Sequence, residues 1–390
     1  MPARLLRGVT VPTGDQVLTS VLPALAAALD GAGPALLPLP SGGTRAAVVA
    51  ALQPDLPLER DDVALVVPTS GSTGGPKGVL LTGAALQHSA RAAHQRLGGP
   101  GQWLLALPVT HIAGLSVLVR SLQAGIRPEV LDLYGGFDPG AFAAATVRMD
   151  AGGRRYTALV PTQLHRLLAA GVDLTSYDAI LLGGAAAPPP LLEQASGAGA
   201  SVVATYGMSE TCGGCVYAGR PLDGVEVALA DDGRISISGP VVFAGYRLRP
   251  DLTGEALTDG RLVTNDLGRW DDAGRLEVSG RTDDVIVTGA VNVSASHVEA
   301  VLAAHPAVRV CAVVGRPDPQ WGERVVAVVQ ADSWDAVPTL DELRSFAARS
   351  LEPAALPKEL LVLGLLPMLA SGKPDRAAVR TLVAGRDGTR

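Results

Sequence analysis

The sequence predicts an α/β protein, and three observations carry that reading. Between Val63 and Tyr206, short apolar runs alternate with segments of helical period. From about Gly219, short alternating strands separated by turn signals such as Asp231-Asp232-Gly233 and Asp272-Ala273-Gly274 mark a small β subdomain. From Asp283 onward a compact α+β unit follows.

In chain order, Val63 to Val67 reads as a buried strand, Ser70 to Gly78 as a Gly/Ser/Thr-rich loop, and Val79 to Leu81 as extended. Gly83 to Leu97 reads as a helix, with Thr82 as its N-cap and Gly98 beyond its end. Trp103–Leu107, Thr157–Val160, Ala179–Leu182 and Val202–Tyr206 read as strands; Ile112–Ala124, Gln163–Ala170 and Pro189–Ala195 read as helices. The β subdomain contributes Val225–Leu229, Arg234–Ser238 and Arg275–Val278. In the last unit, Ser296 and Glu299 have the spacing of a capping box on a helix running to Ala304. Strands follow at Arg309–Val314, Arg324–Gln330 and Leu360–Leu365, with a helix at Leu340–Ser350, and Pro374 suits the first turn of a helix to Val383.

At about 150 residues per domain, the 390 residues suggest two or three domains. A hydrophobic share of 47% against 18% charged residues supports a sizeable core and excludes a disordered chain. The 32 cationic and 38 acidic side chains leave a net charge of −6, which argues against a nucleic-acid binder with a broad basic surface. Three cysteines, an odd number in a long chain, argue against a disulfide scaffold and for a reducing compartment. No run reaches the roughly 18 apolar residues of a membrane span, and the two arginines near the N-terminus precede no sustained apolar run. The expectation is a cytoplasmic protein without membrane insertion. Its oligomeric state is left open, with a homodimer among the allowed assemblies.

The loop Thr69-Ser70-Gly71-Ser72-Thr73-Gly74-Gly75-Pro76-Lys77-Gly78 reads as a polyphosphate cradle. Glycines let backbone amides close around phosphate oxygens, hydroxyls add donors, and lysine adds charge. It is not a Walker A loop, which needs Gly before the lysine, Ser or Thr after it, and then a helix. Here Pro76 precedes Lys77, Gly78 follows it, and the next residues are extended. The chain holds only three lysines, Lys77, Lys358 and Lys373, in an arginine-rich background, so each invites a chemical explanation.

This loop resembles the phosphate-loop signature of the acyl-adenylate-forming superfamily, which includes acyl-CoA synthetases, adenylation domains and luciferases. Further motifs appear in the family's order. Leu182-Gly183-Gly184-Ala185 resembles the stretch along adenine, and Thr205-Tyr206-Gly207-Met208-Ser209-Glu210-Thr211 the YGxTE motif. Asp266 resembles the ribose-binding aspartate, with Asn265 in place of the usual glycine. Gly280-Arg281-Thr282-Asp283-Asp284 resembles the hinge motif, and Ser371-Gly372-Lys373 the segment with the C-terminal catalytic lysine. The resemblance implies a large N-terminal domain of mixed sheets with flanking helices over residues 1–282, its β subdomain at about 219–280. A small mobile α+β C-terminal domain covers 283–390.

It also implies the reaction: a carboxylate attacks the α-phosphate of MgATP to give an acyl-adenylate and pyrophosphate, and a thiol, CoA, then displaces AMP. Carried over residue by residue, Ser70, Gly71, Ser72, Thr73, Gly74 and Lys77 hold the β- and γ-phosphates. Gly183, Gly184, Ala185, Thr205, Tyr206, Gly207 and Met208 border the nucleotide, and Ser209 reaches the α-phosphate. Glu210 and Thr73 are the Mg²⁺ residues, a hard ion wanting oxygen ligands. Asp266 accepts the ribose hydroxyls and Arg281 contacts ribose or phosphate; the plainer reading of Arg281 is a surface ion pair. Lys373 bridges the α-phosphate and the attacking carboxylate. Asp283 is the hinge, about which the loop with Gly289 swings in to line the thiol channel.

His111, in Pro108-Val109-Thr110-His111-Ile112-Ala113-Gly114, matches the family's segment beside the acyl pocket, with a helix-capping role as the plainer reading. The stretch from Leu107 to Gly125 most resembles the o-succinylbenzoate–CoA ligase branch, which serves menaquinone biosynthesis. That substrate has a second carboxylate, for which Arg120 is the candidate cation. Nine residues at about 100° each put Arg120 opposite His111 on a shared helix, so the expectation leans to a surface arginine. Cys212 and Cys215 form a CxxC without a second ligand pair and read as incidental. Other acids, a carrier-protein thiol in place of CoA, and a nucleotide-binding module without turnover are the rival readings; Glu210 and Lys373 argue against the last.

Overall fold

The computed structural model describes residues 4–42, 44–70, 76–289, 291–333, 336–368 and 374–385. The chain divides into two compact units. The first comprises residues 1–184, 193–228 and 236–264; the second comprises 185–192, 229–235 and 265–390. The expected hinge residue Asp283 lies within the second unit.

The first unit holds two sheets. One runs in the order Leu6–Thr10, Ala35–Leu39, Val63–Ser70, Pro76–Thr82, Gly245–Tyr246. Its first three strands are parallel and the rest antiparallel. The other has seven strands, in the order Arg220–Pro221, Gly213–Tyr217, Val202–Met208, Ala179–Leu182, Arg155–Leu159, Gln102–Leu105, Glu129–Val130. From Val202–Met208 to Glu129–Val130 it is parallel, so its strands are buried on both faces and read as near-continuous apolar runs. Ala179–Leu182 is AILL, buried throughout. The helices Ile112–Ala124 and Gly83–Arg96 stand where expected, and Thr82 caps the latter by accepting from the Ala85 N–H at 3.1 Å.

In the second unit a sheet runs Val291–Ser294, Val285–Thr288, Gly322–Ala331, Val308–Asp318, with Glu359–Leu363 parallel beside Gly322–Ala331. The period-2 rule sorts its two cores. Cys311, Val313, Val325, Ala327 and Val329 pack with Val298, Leu302 and Leu343 of the helices Ala295–Leu302 and Leu340–Ala347. Ala312, Val314, Val326 and Val328 pack with Val379 and Val383 of Arg376–Ala384.

Two expectations change. The helix expected to be capped by Ser296 starts at Ala295, and Ser294 is its cap, accepting from the His297 N–H at 3.3 Å. Glu299 therefore lies a turn inside, where it accepts from the Val313 N–H at 2.7 Å and pairs with Arg376. The last helix begins after Pro374, with Asp375 capping the Ala378 N–H at 3.1 Å; Pro374 instead bridges Met368.

Candidate active site

The phosphate loop joins two antiparallel strands, Val63–Ser70 and Pro76–Thr82, with Thr69 opposite Lys77 and Ser70 opposite Pro76. A hairpin tip, not a strand-to-helix turn, carries it, as the failed Walker pattern requires. Gly71, Ser72, Thr73 and Gly74 lie outside the described residues, as does the Ser70 side chain. So do Ser371, Gly372 and Lys373.

Lys77 starts the second strand, and its ammonium lies 5.4 Å from the centre of the Tyr246 ring. The Tyr246 hydroxyl donates to Glu210 Oε1 at 2.8 Å, and the Phe243 N–H donates to the Glu210 carbonyl at 2.8 Å. Lys77 and Glu210, 133 positions apart in sequence, thus share one tyrosine. Burial first, then the Glu210 carboxylate, pushes the Tyr246 phenol well above its ordinary range, so it stays the donor. Nothing in the motif reading singled out Tyr246; its partners lie too far along the chain.

Glu210 sits in the short 3-10 turn Ser209–Thr211 that ends the strand carrying Thr205, Tyr206, Gly207 and Met208. Thr211 fixes that turn: its Oγ1 accepts from the Met208 N–H at 2.9 Å and donates to the Gly213 carbonyl at 2.7 Å. A Cβ at Gly207 would meet the Gly213 oxygen at 2.1 Å, so the hairpin requires glycine there. Gly183 is equally constrained, since a Cβ would approach Thr205 Oγ1 to 2.5 Å. That hydroxyl donates to the Leu182 carbonyl at 3.1 Å, binding the two nucleotide segments together. Gly184 follows at φ +82°, and Ala185 falls in the second unit.

His111 occupies the N-cap position of Ile112–Ala124, but its imidazole makes no capping hydrogen bond. Arg120 on this helix is not a surface residue: it is 3% exposed. Its guanidinium lies 4.9 Å from the Trp103 ring centre and donates to the Tyr217 hydroxyl at 3.1 Å. The period argument placed it away from His111 correctly, but the far side of the helix is covered by aromatic side chains rather than water. Trp103 Nε1–H donates to His94 Nε2 at 3.3 Å, and burial, with Arg120 nearby, holds the His94 imidazole down at about 4. Cys212 and Cys215 are buried free thiols; burial pushes Cys215 up to about 11 and Cys212 higher still. Neither has the electropositive, exposed surroundings of a reactive thiol.

In the second unit, Asp266 and Arg281 face each other across antiparallel strands, and the guanidinium donates to Asp266 Oδ1 at 3.0 Å. It also forks onto both oxygens of Asp283 at 2.8 and 2.9 Å. The Asp283 hydrogen bond outweighs burial and, with the charges of Asp266 and Asp283, raises the Arg281 pKa further. The expected ion pair of Arg281 is present, and it joins ribose-site and hinge candidates in one network. Asn265 keeps the local turn by offering its carbonyl to Thr282 Oγ1 at 3.3 Å. Gly289, at φ +57°, donates its N–H to the Trp321 carbonyl at 2.8 Å. A Cβ there would meet the Trp321 ring at 3.0 Å. Lys358 lies beside it, 4.4 Å from the Trp321 ring centre and donating to Thr288 Oγ1 at 3.1 Å.

Residues 13–247 match the family model described as AMP-binding enzyme. The chain belongs to the AMP-binding enzyme family. Residues 297–373 match the C-terminal domain of AMP-binding enzymes. Within the family, the chain is 48% identical over 387 residues to a Mycobacterium tuberculosis (strain H37Rv) protein named probable 2-succinylbenzoate–CoA ligase, covering 97% of this chain and 99% of that one. It is 34% identical over 330 residues to the 2-succinylbenzoate–CoA ligase of Listeria monocytogenes (strain EGD-e), covering 80% and 68% respectively. Among solved AMP-binding enzyme structures it resembles the o-succinylbenzoate CoA synthetase of Bacillus subtilis in complex with its acyl-adenylate intermediate. The TM-score is 0.75 at 30% identity, over 92% of this chain and 81% of that one.

Proposed function

We infer that this AMP-binding enzyme is an ATP-dependent acid–CoA ligase whose acid is o-succinylbenzoate. The observation that carries the reading is the likeness, nearly end to end, to a ligase of that name. A carboxylate oxygen of the acid attacks the α-phosphorus of ATP, and the bond to pyrophosphate breaks. The CoA thiol, losing its proton, then attacks the acyl carbon, and AMP leaves with the bonding pair. No enzyme nucleophile is required, so the protein's part is to position the reactants and balance their charge.

In this proposal Lys77 and the hydroxyls and amides of the 70–77 loop hold the outer phosphates. Ser209 serves the α-phosphate, Tyr206 the adenine and Asp266 the ribose. Lys373 draws the carboxylate and α-phosphate together against their repulsion. Glu210 and Thr73 would hold Mg²⁺. One oriented carboxylate fits an ion that keeps several waters and takes most of its other ligands from substrate phosphates. When bound, Mg²⁺ supplies charge neutralisation on the phosphate oxygens. His111 borders the acid, and the small domain turns about Asp283 between the half-reactions to bring in the Gly289 loop. No helix among the described residues is long and apolar enough to cross a membrane, and the need for ATP and CoA favours a cytoplasmic enzyme.

CoA-dependent AMP release tests the reading, with o-succinylbenzoate, benzoate, acetate and a medium-chain fatty acid compared side by side. Turnover with o-succinylbenzoate alone is expected. Turnover with another acid would remove the substrate and keep the chemistry. ATP–pyrophosphate exchange without CoA-dependent release would replace CoA by a carrier-protein thiol.

A further inference from the structure

Tyr246 touches both charged groups of the first unit's phosphate site, yet no motif includes it. Its hydroxyl reaches Glu210 Oε1 at 2.8 Å, and its ring lies under the Lys77 ammonium at 5.4 Å. The support is rigid. Phe243 packs edge-on against the ring at 4.9 Å, and the Tyr246 N–H donates to Thr253 Oγ1 at 2.8 Å. A Cβ at Gly245 would come within 2.8 Å of Thr253 Cγ2, so the chain passes here only as glycine. On the other side, Arg247 is buried and donates to the carbonyls of Leu52, Gln53, Leu56 and Pro57. The same segment also grips Glu210 by its backbone, through the Phe243 N–H.

We propose that Tyr246 is a positioning residue of the ATP site, holding the Glu210 carboxylate for the metal ion and seating the Lys77 ammonium for the outer phosphates. A carboxylate swings about three torsions. Tying Oε1 to a fixed hydroxyl leaves Oε2 directed to the ion and removes the cost of ordering it on binding. The ring does the same for lysine, whose four-carbon stem is otherwise free. This rests on the assignment of Glu210 and Lys77 made above.

The test measures ATP binding calorimetrically in Mg²⁺ and in EDTA, for wild type, Y246F, Y246L and E210Q, with thermal unfolding to verify folding. Y246F keeps the ring and loses the hydroxyl. Its affinity in EDTA should stay within about twofold of wild type, while the gain on adding Mg²⁺ falls by about 10-fold or more. In E210Q that gain is lost, and adding Y246F to it should change nothing further. Y246L, which also lacks the ring, should weaken binding in EDTA by about 3-fold. A Y246F enzyme with the wild-type Mg²⁺ gain, or with equal losses in both buffers, would overturn the positioning role. A wild type that binds ATP in neither buffer would overturn the ligase reading and, with it, this one.

Discussion

At the scale of single residues, the three lysines show what a side chain's surroundings add to its type. Lys77 lies over Tyr246 and Lys358 over Trp321, two compact ammonium groups on aromatic faces. Lys373 lies outside the described residues, and its role is argued from the motif alone. Lys373→Ala is expected to slow adenylate formation by about 10²–10³-fold, while a supplied acyl-adenylate still yields thioester at close to the wild-type rate. Single-turnover measurement of each half-reaction decides it; equal loss in both removes the assignment. His94 makes a separate prediction. Its imidazole is held at about 4 in the fold, against an ordinary 6.5, so the native state keeps it neutral. The unfolded chain takes up the proton first. Stability from this group is therefore full above about pH 6.5, falls as the pH drops towards 4, and is about 2 kcal/mol lower at pH 5. His94→Gln keeps an acceptor for the Trp103 N–H, and its stability should lose that part of the pH slope. Urea unfolding at pH 7.5 and pH 5 measures the difference; identical slopes would show that His94 is not the titrating group.

At the scale of elements, legibility followed locality. Ile112–Ala124, Ala179–Leu182 and Arg234–Ser238 match their expected bounds because periodicity and flanking breakers lie within each segment. The sequence reading assigned no elements before Val63. There, breakers sit inside real elements: Pro23 lies within Gln16–Leu29 and Pro38 within Ala35–Leu39. The strand Arg261–Trp270 was also missed. Asn265, Asp266 and Gly268 depress its β propensity, and its pairing with Leu276–Arg281 is what makes it a strand. Arg247 belongs to this scale too, because it pins the segment Leu52–Glu59 to the strand Gly245–Tyr246. Four carbonyls and Glu59, at 3.0 Å, converge on its guanidinium. Arg247→Met should lower the unfolding free energy by about 3 kcal/mol or more, since those acceptors would stay buried without a donor. Urea denaturation reads the loss, and a change below about 1 kcal/mol would mean water replaces the guanidinium.

At the scale of the whole molecule, the motif residues are shared between two compact units: Lys77, His111 and Glu210 belong to the first, Asp266, Arg281 and Gly289 to the second. If the small domain alternates between half-reactions, damage to Gly289 should be one-sided. Gly289→Leu meets both a φ of +57° and the Trp321 ring, and is expected to slow thioester formation at least 10-fold more than adenylate formation, the reverse of Lys373→Ala. Rapid-quench assays of pyrophosphate release and thioester appearance compare the two, and matched losses would count against an alternating domain.

The chemistry of this protein was determined by the sequence itself. Hydroxyls, glycines, lysines and carboxylates at short fixed spacings specify phosphate binding and acid activation, because a loop's composition decides which donors and charges it can present. The partners of those groups were decided only by the tertiary structure. Periodicity gives the direction of Arg120 from its own helix, yet the Trp103 and Tyr217 that receive it come from two other strands. Lys77, Glu210 and Tyr246 meet because a hairpin, a short turn and a two-residue strand converge. That convergence depends on packing between distant segments, for which no local pattern in the chain supplies a signal.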